Sequence, residues 1–220
     1  MEILLCEDGV FFMDRKRIQK WIAVSLLLGC AVSLLWGMCA LHQQQALAQQ
    51  VIRLHVIAAS DRAEDQALKL RVRDRVLAET SEWLDEVSDR DEAEATLRAH
   101  LGALRAAAQE TAAQAGCTAE VRAELSPETY PTRDYGTFSL PGGTYLSLRV
   151  IIGEGAGHNW WCVVFPPLCT ASETGTLEES AEKAGLSEEN LALITQSDEE
   201  YVLKFKSVEL WETWTASLRK

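Results

Sequence analysis

The sequence has no surplus of positive charge. Its 21 lysines and arginines are outnumbered by 33 aspartates and glutamates, for a formal net charge of -12 at pH 7. Binding nucleic acid needs a basic face to neutralise phosphates, so the charge argues against that class. The short motifs of common hydrolases and redox enzymes are also missing: there is no G-x-S-x-G, no H-E-x-x-H and no C-x-x-C. The four histidines are scattered, no internal repeat is present, and neither metal nor cofactor is expected.

Long apolar runs are equally scarce, with one exception. Trp21 to Leu41 is free of charge and long enough to span a bilayer as a helix. Arg15, Lys16, Arg17 and Lys20 stand in front of it, which keeps residues 1–20 cytoplasmic and sends the rest outside. Ala46-Leu47-Ala48 suits signal peptidase, so the segment is either a long signal peptide cleaved after Ala48 or an uncleaved anchor, with 42–50 as linker. Residues ahead of Met13 place acids before the basic region, and Met13 makes a more conventional start. The exported domain is then 51–220. It carries the whole net charge, because four acids and four bases cancel within residues 1–48.

The exported part is organised around Val51 to Leu77. Ile52, Leu54 and Val56 alternate with Arg53 and His55, the pattern of a strand. Asp61 fits an N-cap with Glu64 as its capping-box partner. In the helix that follows, Leu68, Val72, Val76, Trp83 and Val87 form one flank of an apolar arc, and Leu70, Leu77 and Leu84 the other. Asp65, Gln66, Lys69 and Arg73 fall inside that arc. Buried charge is costly unless paired. One reading pairs Asp65 with Lys69 at i,i+4. The other gathers all four with Arg53 or His55 into a polar patch that a partner reads.

Asp91 with Glu94 repeats the capping-box arrangement, Leu97, Leu101, Leu104 and Ala108 mark a second amphipathic helix, and Gly116 suits its end. Cys117 to Leu125 alternates as a half-buried strand, and Pro127 and Pro131 punctuate the loop after it. Asp134–Leu140 and Thr144–Ile152 flank Pro-Gly-Gly as a predicted hairpin. Gly153 to Asn159 is glycine-rich, but it leads into a strand and not a helix N-terminus, so it reads as a connection and not a phosphate loop. Trp160 to Phe165 is an apolar strand ended by Pro166-Pro167. Cys162 and Cys169 are able to close a disulfide around those prolines or to remain buried thiols. Nine acids and one lysine fill 171–200, read as a solvated edge with short helices capped at Thr176 and Ser187. Tyr201–Lys206 alternates as a last strand, and Val208, Trp211, Thr215 and Leu218 mark a closing helix. The expected class is α+β: a mainly antiparallel sheet with two long N-terminal helices packed on it, preceded by one membrane or signal helix.

The stretch IRLHVIA, then Ser60-Asp61, then EDQALKL-x-VRD resembles the start of the extracytoplasmic domain of the stage II sporulation protein R family of endospore-forming bacteria. YPTRDYG, YLSLRVIIGEG and WWCVVFPPLC are similar to its C-terminal half, while Ala59 departs from the asparagine expected there. The resemblance implies a signalling protein and not an enzyme. Such a protein is exported from the forespore into the space between it and the mother cell. There it activates a membrane-embedded aspartic protease of the mother cell that processes pro-sigma-E. The expected partner surface is Arg53, His55, Asp65, Gln66, Lys69 and Arg73, with Trp160 and Trp161. The alternative is a secreted hydrolase with a His55-centred polar site, in which Cys162 or Cys169 could be the nucleophile.

Overall fold

The computed structural model describes residues 15–169 and 176–195. The predicted strand over 201–206 and closing helix lie outside the described residues. The chain divides into two units, residues 1–42 and 43–220.

Helix α1 (Arg15–Ala48) supplies all of what is described of the first unit. From Ile18 to Ala48 it is long and apolar enough to cross a membrane, and Trp21, Leu27, Leu34 and Trp36 are all exposed. Its last turn belongs to the second unit. There Leu47 is fully buried and Gln44 Nε2 donates to the Gly142 carbonyl.

The second unit is built on a four-stranded sheet. Strands β1 (Ile52–Ile57), β2 (Val121–Tyr130), β5 (Gly143–Ile152) and β6 (Asn159–Phe165) lie in the order β2-β5-β1-β6. β1 is central. It runs parallel to β5 and antiparallel to β6, while β2 is antiparallel to β5. Two of the three pairings are therefore antiparallel, as the predicted class requires. All six residues of β1 are buried, because both faces of the sheet are covered. Ile52, Leu54 and Val56 face α2 (Ala63–Leu84) and α3 (Arg90–Gln114), joining Leu68, Val72, Val76, Leu97 and Leu104 in the main core. The opposite face carries a second core of Leu47, Tyr130, Phe138, Leu140, Tyr145 and Val163. Helices α4 (Leu177–Lys183) and α5 (Glu188–Thr195) add Leu177, Ala181, Leu191 and Ile194 to it. That corrects the solvated-edge reading for 177–195. The acids there sit on helices whose apolar side is buried, and Ser187 Oγ accepts from Asn190 N–H as a cap.

Several local expectations shift. Helix α2 is not capped by Asp61, because the hydrogen-bonded turn begins at Arg62, whose carbonyl accepts from Gln66 N–H. Helix α3 is capped by Asp89, two residues before the expected Asp91, and its carboxylate accepts from the N–H groups of Asp91 and Glu92. Gly116, at φ 78°, ends α3 as predicted. Its N–H reaches the Ala113 carbonyl and Cys117 N–H reaches Ala112, satisfying two terminal carbonyls. β2 starts at Val121 and not Cys117, and it runs through Pro127. An edge strand tolerates proline where the missing N–H points outward. The predicted hairpin at Pro-Gly-Gly does not form. Ser139–Leu140 is strand β4, which pairs with β3 (Arg133–Asp134) in a separate two-stranded ribbon, while β5 pairs with β2 over its whole length. The ten-residue β2–β5 ladder outcompetes a short local turn.

Residues 153–158 connect β5 to β6 across the end of β1, since β1 lies between them. Gly157 N–H donates to the Ala58 carbonyl and Ala156 N–H to Ala59. A Cβ on Gly157 would overlap the Ser60 carbonyl. Gly157→Ala should therefore cost about 1–3 kcal/mol through overpacking against backbone. Thermal unfolding of the variant checks this, and a melting temperature equal to the unsubstituted chain would contradict it.

Candidate functional site

The polar residues of the first strand and helix do not form one cluster. The sheet separates them. Alternate residues of a strand point to opposite faces. Ile52, Leu54 and Val56 face α2, so Arg53 and His55 are directed away from it. The single patch of Arg53 or His55 with Asp65, Gln66, Lys69 and Arg73 is therefore corrected to two sites on opposite faces.

On the helix side, the joint between β1 and α2 holds the first site. The carboxylate of Asp65 accepts from Ser60 Oγ and from Arg62 Nε at 3.1 Å. Asp65 does not pair with Lys69. Lys69 Nζ donates to Gln66 Oε1 at 2.7 Å and to the His158 carbonyl at 3.1 Å. Gln66 Nε2 donates to the Ser60 carbonyl. Asp61, freed from capping, accepts from His158 N–H at 2.6 Å and contacts His158 Nδ1, which ties the β5–β6 connection to the joint. The Ser60 hydroxyl and then Arg62 hold the Asp65 carboxyl below its usual range. The His158 backbone N–H does the same for Asp61. Burial, and then the charge of Arg73, lower Lys69. Arg73 itself turns away from this network. It pairs with Asp74 and places its guanidinium 4.8 Å from the ring centre of Trp160.

On the opposite face, Arg53 is fully buried, and among the described residues no carboxylate is bonded to it. Its Nη2 donates to Tyr135 Oη at 2.6 Å, and its guanidinium lies 3.9 Å from the centre of the Tyr130 ring and 5.2 Å from that of Tyr145. Cation–π attraction offsets part of the desolvation cost. Nε and Nη1 have no hydrogen-bond partner among the described residues. His55, 5% exposed, directs Nδ1 to Glu128 at 2.9 Å. Glu128 also accepts from Tyr130 Oη, which meets Ser147 Oγ. Burial opposes ionisation of Glu128, but the Tyr130 hydroxyl and the His55 charge outweigh it and lower its pKa. Burial pushes the hydroxyls of Tyr130, Tyr135 and Tyr145 up. Trp161 stands beside His55 at 5.7 Å between ring centres, and the Arg133 guanidinium lies 5.2 Å from the centre of its ring.

Cys162 and Cys169 are joined by a disulfide, so in this state neither supplies a thiolate to a histidine. The bond pins the chain beyond β6 back onto it, and Val163 N–H donates to Cys169 Sγ.

Glu128, Tyr130, Ser147 and Tyr135 were not identified from the sequence. They reach Arg53 and His55 only through the β1–β5–β2 register, which pairs His55 with Arg149 and Glu128 with Tyr145. Tyr130 and Tyr135 do lie in YPTRDYG, and that was the available signal.

Residues 48–175 match the family model for stage II sporulation protein R. The chain belongs to this family. Stage II sporulation protein R of Bacillus subtilis (strain 168) is 36% identical over 128 residues, which is 58% of this chain and 57% of that relative. The chain thus spans little more than half of the curated relative it matches. No solved structure matches it. Every residue of both polar sites, both tryptophans and the disulfide lie within the region matched to the stage II sporulation protein R family, whereas α4 and α5 lie beyond it.

Three carboxyls with lowered values give an acid prediction. A group whose folded value is depressed stabilises the fold above its unfolded value, about 4 for carboxyls, and that contribution is lost as pH falls through the folded value. Stability should therefore hold between pH 7 and 5 and decline below about pH 4, with Asp61, Asp65 and Glu128 contributing. Urea unfolding across that range checks it. Glu128→Gln should flatten the acid decline, and a decline as steep as in the unsubstituted chain would contradict Glu128's share.

Proposed function

We propose that this protein is an exported sporulation signal that activates a membrane-embedded aspartic protease of the mother cell, which then processes pro-sigma-E. The observation that carries the reading is the family match over residues 48–175. A ligand activates an enzyme only by binding its active arrangement more tightly than its inactive one, so the chain needs an accessible recognition surface and no chemistry of its own.

Within the sequence-predicted partner set, Arg53, His55, Asp65 and Lys69 are buried and serve as frame. The accessible members are Gln66, Arg73, Trp160 and Trp161. Trp160 under Arg73 and Trp161 under Arg133 form two arginine–tryptophan stacks, one on each face of the start of edge strand β6. Tryptophan and arginine dominate binding hot spots, and these stacks are the surface we assign to the protease.

We also propose that α1 is retained as an anchor. Cleavage after Ala48 would remove Leu47 from the second core and Gln44 from Gly142. N-terminal sequencing of the exported form checks this; a chain starting at Gln49 would overturn it.

Co-expression with the protease and pro-sigma-E in a non-sporulating host tests the function. Pro-segment removal is expected with the unsubstituted chain and with Lys69→Met, and it should fall at least about tenfold with Trp160→Ala or Arg73→Ala. No removal with the unsubstituted chain sinks the function. Undiminished removal with both variants sinks only the surface.

A further inference from the structure

The two edges of the main sheet are finished differently. On β6, Val163 N–H is taken by Cys169 Sγ, and Pro166-Pro167 ends the strand. On β2 no strand among the described residues pairs with the outer edge. The direction of its backbone groups follows from two bonds. The Glu120 carbonyl accepts from Gly153 N–H beyond the end of β5, and Val121 N–H donates outward to Gln109 Oε1 at 2.7 Å. N–H and C=O of one residue point to the same side of an antiparallel strand. Even-numbered residues of β2 therefore bond to β5, and Ala123, Leu125 and Thr129 point their N–H groups outward. Pro127, also odd-numbered, has none to offer. Among the described residues no backbone group meets these three N–H groups. Among the described residues nothing covers the strand: Arg122, Glu124, Pro127 and Thr129 are exposed.

The open window has defined limits. Gln109 closes one end by bridging Val121 N–H and the Ala119 carbonyl. Pro131, just after Tyr130, closes the other. The midpoint between Val121 and Thr129 is Leu125.

We propose that this edge pairs antiparallel with β2 of a second copy of the chain, about a two-fold axis at Leu125. In that register Leu125 N–H donates to the Leu125 carbonyl of the other copy, Ala123 N–H to Pro127, and Thr129 N–H to Val121, each reciprocated by symmetry. Val121 N–H stays with Gln109 and Pro127 has no donor, so neither is left unsatisfied by the pairing. The choice of a second copy rests on charge. Arg122 comes to stand opposite Glu128 of the other copy, and Glu124 opposite Ser126, so no like charges stand directly opposite one another in the paired row. A two-fold interface presents the same patch from both sides, and this row is complementary to itself. A continuous eight-stranded sheet results, with the α2–α3 layers of both copies on one face. Unprotected edges are uncommon in proteins that stay monomeric. The inference does not depend on the protease reading, because its measurement involves this chain alone.

The test is sedimentation of the full chain, with Cys6, Cys30, Cys39 and Cys117 replaced by serine, in detergent without reductant and at physiological salt. A dimer is expected. Ala123→Pro removes only an outward N–H, so the β2–β5 ladder survives, and the dimer dissociation constant should rise at least ~10-fold. Arg122→Glu, which sets Glu against Glu128, should weaken it similarly. Neither change touches α1, so a dimer held by that helix would persist in both variants, and persistence overturns the proposal. A trapping experiment guards against misfolded variants. With Cys6, Cys30, Cys39 and Cys117 replaced by serine, a mixture of Glu124→Cys and Ser126→Cys chains should give the mixed disulfide in preference to either homodimer. No such preference overturns the register. A monomer at ~100 µM overturns the proposal. If that monomer also loses protease activation on Ala123→Pro, the edge instead takes a strand from another protein.

Discussion

Arg53→Ala should lower the unfolding free energy by about 3 kcal/mol, within the range for emptying a large buried site. Arg53 has no exposed surface, and its side chain fills the space among Tyr130, Tyr135 and Tyr145. Removing it leaves a void and strips Tyr135 Oη of its donor. Arg53→Met separates volume from charge. It keeps most of the packing and relieves the desolvation of a cation with two nitrogens unpartnered among the described residues. It should cost less than about 1.5 kcal/mol, as volume-conserving replacements do. Chemical denaturation of the two variants decides the matter. If methionine costs as much as alanine, the cation itself holds the tyrosines together, and the packing account is wrong.

Opening the Cys162–Cys169 bond should cost about 2–3 kcal/mol by the loop-closure model, for a sequence separation of 7 residues. The effect should spread beyond the loop. Cys162 is buried in the main core, and Cys169 packs against both cores. Release also frees Val163 N–H on the β6 edge. Denaturant midpoints with and without reductant should differ by that amount, and Cys162→Ser should add the cost of burying a hydroxyl. Equal midpoints under oxidising and reducing conditions, or mass spectra of the exported protein with two free thiols, would refute it.

Much of the architecture was legible in local patterns. The uncharged run from Trp21 to Leu41 predicted a helix long enough to cross a membrane, and α1 runs through it. The alternation in Val51–Ala58 identified β1, and the 3.6-residue spacing of Leu97, Leu101 and Leu104 identified α3. Gly116 ended that helix because a left-handed residue was needed there. The family itself was legible in IRLHVIA and WWCVVFPPLC.

What local pattern left open was settled by long-range pairing. Pro-Gly-Gly looked like a hairpin, yet β5 took β2 and β1 as neighbours, because a long ladder buried on both faces outweighs a two-strand ribbon. Asp61 looked like a cap, yet its carboxylate was taken by His158, 97 positions away. The sequence by itself determined which residues of β1 are polar and which helix follows it. Only the tertiary structure decided that Arg53 and His55 would share a face with Glu128 and Tyr130, and not with Lys69. The reason is that a strand sends alternate side chains to opposite sides, and the partners on each side come from segments far along the chain.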